Sequence, residues 1–213
     1  MRLTVFGATG GIGQEVVRQA LDTGHEVTAV VRDPARLTVT GDGLTVVRAD
    51  LRDPEVLRDA VAGRDAVLSG LGARSTKDAR TGIAARLTGP VLRALDVTGT
   101  RRFLAVSAAP LAAEPADQTF MQRAVVLPLI NTVLKAVYDD LKVMEEEIRR
   151  SATDWTLVRP PKLLDKPVTG TYRTALNENL RGGSTIARAD VAHAMLALAD
   201  DPAAVRQGVS VAY

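Results

Sequence analysis

Near its start the chain runs a short apolar stretch, Leu3–Phe6, into Gly7-Ala8-Thr9-Gly10-Gly11-Ile12-Gly13. Next comes a segment whose residues Ile12, Val16, Val17, Ala20 and Leu21 recur at helical spacing. Gly24 ends that segment, and a second apolar stretch, Glu26–Val31, follows. A strand, a glycine turn that opens a helix, and a second strand within about 30 residues form a dinucleotide-binding βαβ pattern. The glycines divide the work. Gly7 permits the tight turn, Gly10 lets backbone N–H groups approach a pyrophosphate, and Gly13 lets the helix pack close to the sheet. The helix N-terminus then presents free N–H groups and the positive end of its dipole to the phosphates. Gly7, Thr9, Gly10, Gly11 and Ile12 are the expected contacts.

The rest of the chain repeats the alternation. Strands are expected at Leu44–Arg48, Ala66–Ser69, Arg102–Val106, Trp155–Val158 and Val209–Ala212, with a β-rich piece around Gly170–Leu176. Helices are expected at Pro54–Val61, Gly82–Val97 and Ala189–Ala199. Pro90 should kink or split the second of these. A long helix carries Leu134, Val137, Leu141, Met144 and Ile148 at spacings of three and four. Residues 108–130, with Pro110, Pro115 and Pro128, read as a loop or mobile cover. Strands separated by helices imply parallel pairing through right-handed crossovers. The expected fold is one α/β domain over residues 1–213, a Rossmann-type doubly wound parallel sheet with a small C-terminal substrate-side portion. Such sheets bind ligands at the carboxyl ends of their strands, where strand order reverses.

Composition narrows the chemistry. Cysteine is absent, so thiolate metal sites, disulfides and cysteine nucleophiles are excluded. His25 and His193 have no ligand spacing, and no metal site is expected. Net charge is +2 with the charges interspersed, against nucleic acid as the main partner. The most apolar stretch, Ala124–Ile130, is too short to span a bilayer. With no signal peptide in view, a cytoplasmic protein is expected, a monomer or weak homodimer acting on a small molecule.

The cofactor type is read at the end of the second strand. There an NAD site places a carboxylate for the ribose 2′-hydroxyl, and an NADP site places an arginine. This chain has Arg32-Asp33-Pro34-Ala35-Arg36. Arg32 and Arg36 can clamp a 2′-phosphate with charge-assisted bonds. Asp33, the alternative ribose acceptor, is expected to start the next turn ahead of Pro34. NADP(H) is the expected cofactor.

Several stretches together resemble the atypical short-chain dehydrogenases, within them the NmrA-like and biliverdin reductase B (flavin reductase) group. They include Val5-Phe6-Gly7-Ala8-Thr9-Gly10, Val30-Val31-Arg32-Asp33-Pro34-Ala35-Arg36-Leu37, Ala49-Asp50-Leu51 and Leu71-Gly72-Ala73-Arg74. Asp65-Ala66-Val67, Val106-Ser107-Ala108, Trp155-Thr156-Leu157-Val158-Arg159-Pro160-Pro161, Pro167-Val168-Thr169-Gly170-Thr171-Tyr172 and Arg188-Ala189-Asp190-Val191-Ala192 complete the set. The resemblance implies that Asp50 and Leu51 lie near the adenine and that Leu71, Gly72 and Arg74 line the middle of the cofactor. It places Ser107, Pro160 and Pro161 beside the nicotinamide. Lys162 stands where biliverdin reductase B has histidine, which changes a proposed proton-donor position.

Two catalytic readings stay open. Tyr138 and Lys142 are four apart on a helix and share a face, the Tyr-x-x-x-Lys spacing of short-chain dehydrogenases. In that chemistry the ammonium lowers the phenol pKa, the phenol moves the substrate proton, and Ser107 holds the carbonyl oxygen. Glu146 and Arg159-Pro160 also fit extended members of that superfamily. In the other reading Tyr138 is an amphipathic boundary residue, Lys142 a solvated charge, and hydride passes directly to a flavin-like substrate. Glu145-Glu146-Glu147 with Arg149-Arg150 reads as a solvated helix face. The expected activity is NADPH-dependent reduction of a flavin, quinone, enone or similar substrate. The alternatives are a non-catalytic NADP(H) redox sensor of NmrA-like type and, last, a nucleotide-sugar epimerase or dehydratase.

Overall fold

The computed structural model describes residues 1–73, 75–111 and 127–213, the side chains of 127–133 aside. Its strands are β1 (Arg2–Phe6), β2 (Glu26–Val31), β3 (Leu44–Arg48), β4 (Ala66–Ser69), β5 (Arg102–Val106), β6 (Asp154–Arg159), β7 (Lys162–Leu164), β8 (Arg173–Leu176), β9 (Thr185–Ala187) and β10 (Gln207–Ala212). Its helices are α1 (Gly11–Asp22), α2 (Pro54–Val61), α3 (Thr76–Ala79), α4 (Ile83–Thr98), α5 (Leu127–Arg150) and α6 (Arg188–Ala199). Eight strands make one sheet in the order β3-β2-β1-β4-β5-β6-β10-β8, parallel except for the edge strand β8. β7 and β9 form a separate parallel pair. Strand order reverses between β1 and β4, which fixes where a ligand crevice opens.

Side-chain alternation along the strands supplies two cores. Leu3 and Val5 of β1 pack with α1 and α6, through Val16, Val17, Val191 and Met195. Phe6 and, from β5, Phe103 pack on the opposite face with Leu57, Val91, Leu95, Met144 and Ile148 of α2, α4 and α5. Each large side chain buried this fully contributes roughly 1.5–3 kcal/mol. Two buried threonines are satisfied by backbone carbonyls: Thr4 Oγ1 donates to the Ala60 carbonyl at 2.5 Å and Thr156 Oγ1 to that of Ala204 at 2.5 Å. Asp140, on α5, accepts from the N–H groups of Ala84 (2.9 Å) and Ala85 (3.2 Å). It caps α4, whose own N-cap, Gly82, has no side chain to do so.

Two expectations are corrected. Pro90 does not split α4, which is one helix of 16 residues. Gly89 precedes it and has no Cβ to meet the proline ring, the clash that ordinarily drives that residue out of the helical region. α5 begins at Leu127, inside the segment read as loop or cover. Pro128 falls in its first turn, where no intrahelical donor is lost. Ala109–Leu111 form a 3-10 turn, and the remainder of the expected cover, residues 112–126, lies outside the described residues. The β7–β9 pair was not visible in the sequence, because three-residue strands carry too little periodicity. Among the described residues no helix is long and apolar enough to cross a membrane, and no acid, histidine or cysteine cluster could hold a metal.

Candidate cofactor and active site

The loops after β1, β2, β4, β5 and β6 converge on one edge of the sheet, at the strands' carboxyl ends. The glycine turn is held by contact with its neighbour across the reversal point. Gly7 has φ +72°, and a Cβ there would lie 2.6 Å from the carbonyl carbon of Gly70, which follows β4. A Cβ on Gly13 would overlap the Gly7 carbonyl oxygen. Gly10 N–H donates to that same oxygen at 2.9 Å. Gly10 is also the N-cap of α1 and offers no side-chain cap, and the first turn of α1 carries no acid. The opening N–H groups are therefore left for a ligand, the arrangement that takes phosphate. Ile12 is buried beneath the turn, while Thr9, Gly10 and Gly11 border it.

At the end of β2, Asp33 begins the next turn: its carboxylate accepts from Ala35 N–H at 3.2 Å as the N-cap of a 3-10 turn starting at Pro34. Arg32 and Arg36 are exposed and make no ion pair with a described residue. Asp50 is exposed and Leu51 is buried in the core beside Val30 and Phe6. Leu71 is half-buried and Gly72 exposed on the loop after β4. Arg74 lies outside the described residues. Pro160 is buried and Pro161 half-buried after β6, and Lys162 is exposed at the start of β7.

At the end of β5, Ser107 is buried and joins a charged cluster. Its Oγ donates to Glu145 Oε1 at 2.6 Å. Arg159 Nε donates to the same oxygen at 2.9 Å, and its Nη2 to Oε2 at 2.7 Å. Arg149 Nη2 reaches Oε2 at 2.5 Å. Glu145 is 1% exposed and Arg159 4%. Burial alone would raise the Glu145 carboxyl, but hydrogen bonds from Arg159 and Ser107, and the charges of Arg159 and Arg149, outweigh it and hold the group below its ordinary range. Glu145 is thus no part of a solvated face. Its neighbours in the acidic run, Glu146 and Glu147, are exposed. Glu145 was missed because it sits in a run of three acids, yet it lies four residues after Leu141 and three before Ile148, on the buried stripe.

Tyr138 and Lys142 do not join this cluster. Tyr138 is half-buried, and burial pushes its phenol up rather than down. No ammonium counters that burial, and Lys142 is exposed. Seven residues, about 10.5 Å of helix, separate Tyr138 from Glu145, and the Ser107 hydroxyl is bonded to Glu145. Arg188 also escaped the sequence reading. A Cβ on Gly11 would come within 2.6 Å of Arg188 Cδ, so the arginine stem lies across the start of α1, its guanidinium paired with Asp165 at 2.5 Å.

The stretch Pro167–Tyr172 has an anchoring role. Buried Asp190 accepts from the N–H groups of Thr169 (2.8 Å) and Gly170 (2.9 Å), from Thr169 Oγ1 (3.0 Å) and from Tyr213 Oη (2.6 Å). Tyr172 Oη lies 2.8 Å from Nδ1 of His193, which accounts for that histidine. A groove of about 880 Å³ lies elsewhere, between α2 and α4, lined among others by Pro54, Arg86, Pro90 and Val97. It touches neither the glycine turn nor Ser107. The site is therefore placed by backbone geometry and the buried charges, not by cavity size.

Comparison with known proteins identifies the family of the domain. A family model described as NAD(P)H-binding matches residues 7–202. The uncharacterized sugar epimerase YhfK of Bacillus subtilis is 28% identical over 206 residues, 94% of this chain and 89% of that protein. The photosystem II assembly factor Ycf39 of Synechocystis is 39% identical over 77 residues, and the match spans only 24% of that protein's length. Among solved structures, a Streptococcus pneumoniae TIGR4 protein proposed to be an NADH-flavin reductase superposes with a TM-score of 0.77 at 27% identity, covering 100% of this chain and 99% of that one.

Proposed function

Because the chain belongs to the NAD(P)H-binding family, we propose that it is an NADPH-dependent reductase of a small conjugated acceptor such as a flavin, quinone or enone. The similarity to the pneumococcal protein supports a flavin-like acceptor, and the motif resemblance supports placement near the NmrA-like and biliverdin reductase B group. The residues fit the cofactor: the uncapped start of α1 for the diphosphate, Arg32 and Arg36 for a 2′-phosphate, and the ends of β4, β5 and β6 for the nicotinamide. When bound, the cofactor supplies hydride, and the protein contributes position and exclusion of water.

The observation that carries the reading is the character of the groups at the end of β5. Glu145 is held ionised by two arginines, the Ser107 proton is committed to it, and burial keeps Tyr138 a weak acid. Among the described residues no activated phenol stands beside Ser107. Reduction therefore fits direct hydride delivery to the acceptor, with the accompanying proton taken from water. The test is NADPH or NADH oxidation with a panel of flavins, quinones and enones at several enzyme concentrations. Turnover proportional to enzyme supports the reading. Tight NADPH binding with no turnover on any acceptor would overturn it in favour of a redox sensor.

A further inference from the structure

We propose that Ser107 meets its ligand only as a hydrogen-bond acceptor, its proton being held by Glu145, and that the end of β5 therefore recognises the carboxamide N–H of the nicotinamide rather than a substrate carbonyl. The proposal rests on the reductase reading above. It follows from counting donors and acceptors. An ionised carboxylate accepts only, at about four lone-pair sites. Glu145 meets four donors: Ser107 Oγ and Arg159 Nε on Oε1, and Arg159 Nη2 and Arg149 Nη2 on Oε2. Every site is used, and the Ser107 hydroxyl cannot turn outward without leaving Oε1 short of a charge-assisted bond in a buried place. The serine oxygen keeps its own lone pairs, and no described residue donates to them.

Position identifies the group that can use them. The diphosphate site is the α1 start after β1, and the arginines that face the adenosine end follow β2. The other half of a dinucleotide must cross the reversal point toward β4 and β5. Ser107 closes β5, its N–H bonded to the Val158 carbonyl at 2.7 Å, and Ala109 N–H bonds the Pro160 carbonyl at 2.9 Å. A rigid acceptor there pairs with the carboxamide NH2. It cannot hold a developing alkoxide, which needs a donor.

Replacing the nicotinamide carboxamide by a methyl ketone, as in the 3-acetylpyridine analogue of NADP⁺, removes the N–H and keeps the carbonyl. Binding of NADP⁺ and of this analogue to the wild-type chain and to Ser107→Ala, by calorimetry, forms a complete cycle. The wild-type chain should prefer NADP⁺ by about tenfold, the loss of one hydrogen bond. Ser107→Ala should lose that preference, weakening NADP⁺ about tenfold and the analogue less than twofold. Equal weakening of both ligands would overturn the proposal, since a donating serine, or one that merely packs, treats the two carbonyl-bearing rings alike. Failure of the wild-type chain to bind either dinucleotide is a separate result that overturns the reductase reading and this proposal with it. Unfolding midpoints of the two proteins identify a variant that has lost its fold. In that event Ser107→Gly in the same cycle must erase the preference, or the proposal fails.

Discussion

Removing Glu145 should be among the most damaging single changes outside the apolar core. Glu145→Ala takes away the partner of Arg159, whose side chain is 5% exposed, and leaves a guanidinium in the interior with no carboxylate. That guanidinium cannot move freely, because a Cβ on Gly208 would come within 2.5 Å of its Nη1, so the strand beside it is already in contact. Breaking a buried pair from one side costs about 3–5 kcal/mol. Against a total stability of about 5–15 kcal/mol, that is a large fraction. Arg149, 39% exposed, is screened by water, and Arg149→Ala should cost no more than about 1 kcal/mol. Replacing both buried partners with apolar residues of similar size, Glu145→Leu with Arg159→Met, should recover most of the loss, because both desolvation costs disappear together. Urea unfolding at neutral pH, with unchanged slope, reads these differences. A loss below 1 kcal/mol for Glu145→Ala, or a double variant as unstable as the two single losses added, would show that the cluster is not a coupled buried pair.

Three further outcomes follow from the same geometry. Arg32→Ala with Arg36→Ala should weaken NADPH binding on the order of 10²-fold, two charge-assisted contacts at about 1.5 kcal/mol each, and NADH binding hardly at all. Equal losses in a titration of both cofactors would refute the assignment. Tyr138→Phe should leave turnover within about threefold, whereas a general acid would lose roughly 10²–10⁴-fold. Steady-state kinetics with the best acceptor decide between them. Glu145 and Asp190 both lie below their ordinary carboxyl values of 4.5 and 3.8, because hydrogen bonds from Arg159 and Ser107, and from Tyr213, Thr169 and Gly170, outweigh burial. Their stabilisation is present above those values and is lost as pH falls through the lower folded ones. Thermal midpoints below pH 4.5 should therefore drop more steeply in the wild-type chain than in the Glu145→Leu, Arg159→Met variant, and parallel curves would contradict it.

The fold was legible because its signals are local. A glycine triplet after β1, alternating apolar strands and helical stripes each occupy one stretch of sequence, and all seven parallel strands of the sheet appeared where they were expected. The small strands β7 and β9 did not, since their pairing depends on partners more than 20 residues away. The capping role of Asp33 at the end of β2 was legible for the same local reason. The cluster at the end of β5 was not. Its three essential members come from three elements, and the run Glu145-Glu146-Glu147 shows which acid is covered only when it is set against the stripe Leu141, Met144 and Ile148.

The helix α5 shows how a spacing can be correct and still mislead. A separation of four places Tyr138 and Lys142 on one side of any helix, but which side meets the site depends on the residues that pack. Here Leu141, Met144 and Ile148 are buried and turn Glu145 toward Ser107 and Arg159. Lys142 lies three residues from Glu145, a rotation of about 60° away from it, and ends exposed. Tyr138 shares the Glu145 face but stands two turns nearer the start of the helix. An ammonium that remains in water cannot lower the pKa of a half-buried phenol, and burial then acts on that phenol alone. The carboxylate that reaches Ser107 reverses the hydroxyl's part, from donor to acceptor. The same helix that carries the Tyr-x-x-x-Lys spacing thus removes both conditions its chemistry requires, a lowered phenol and a free serine proton.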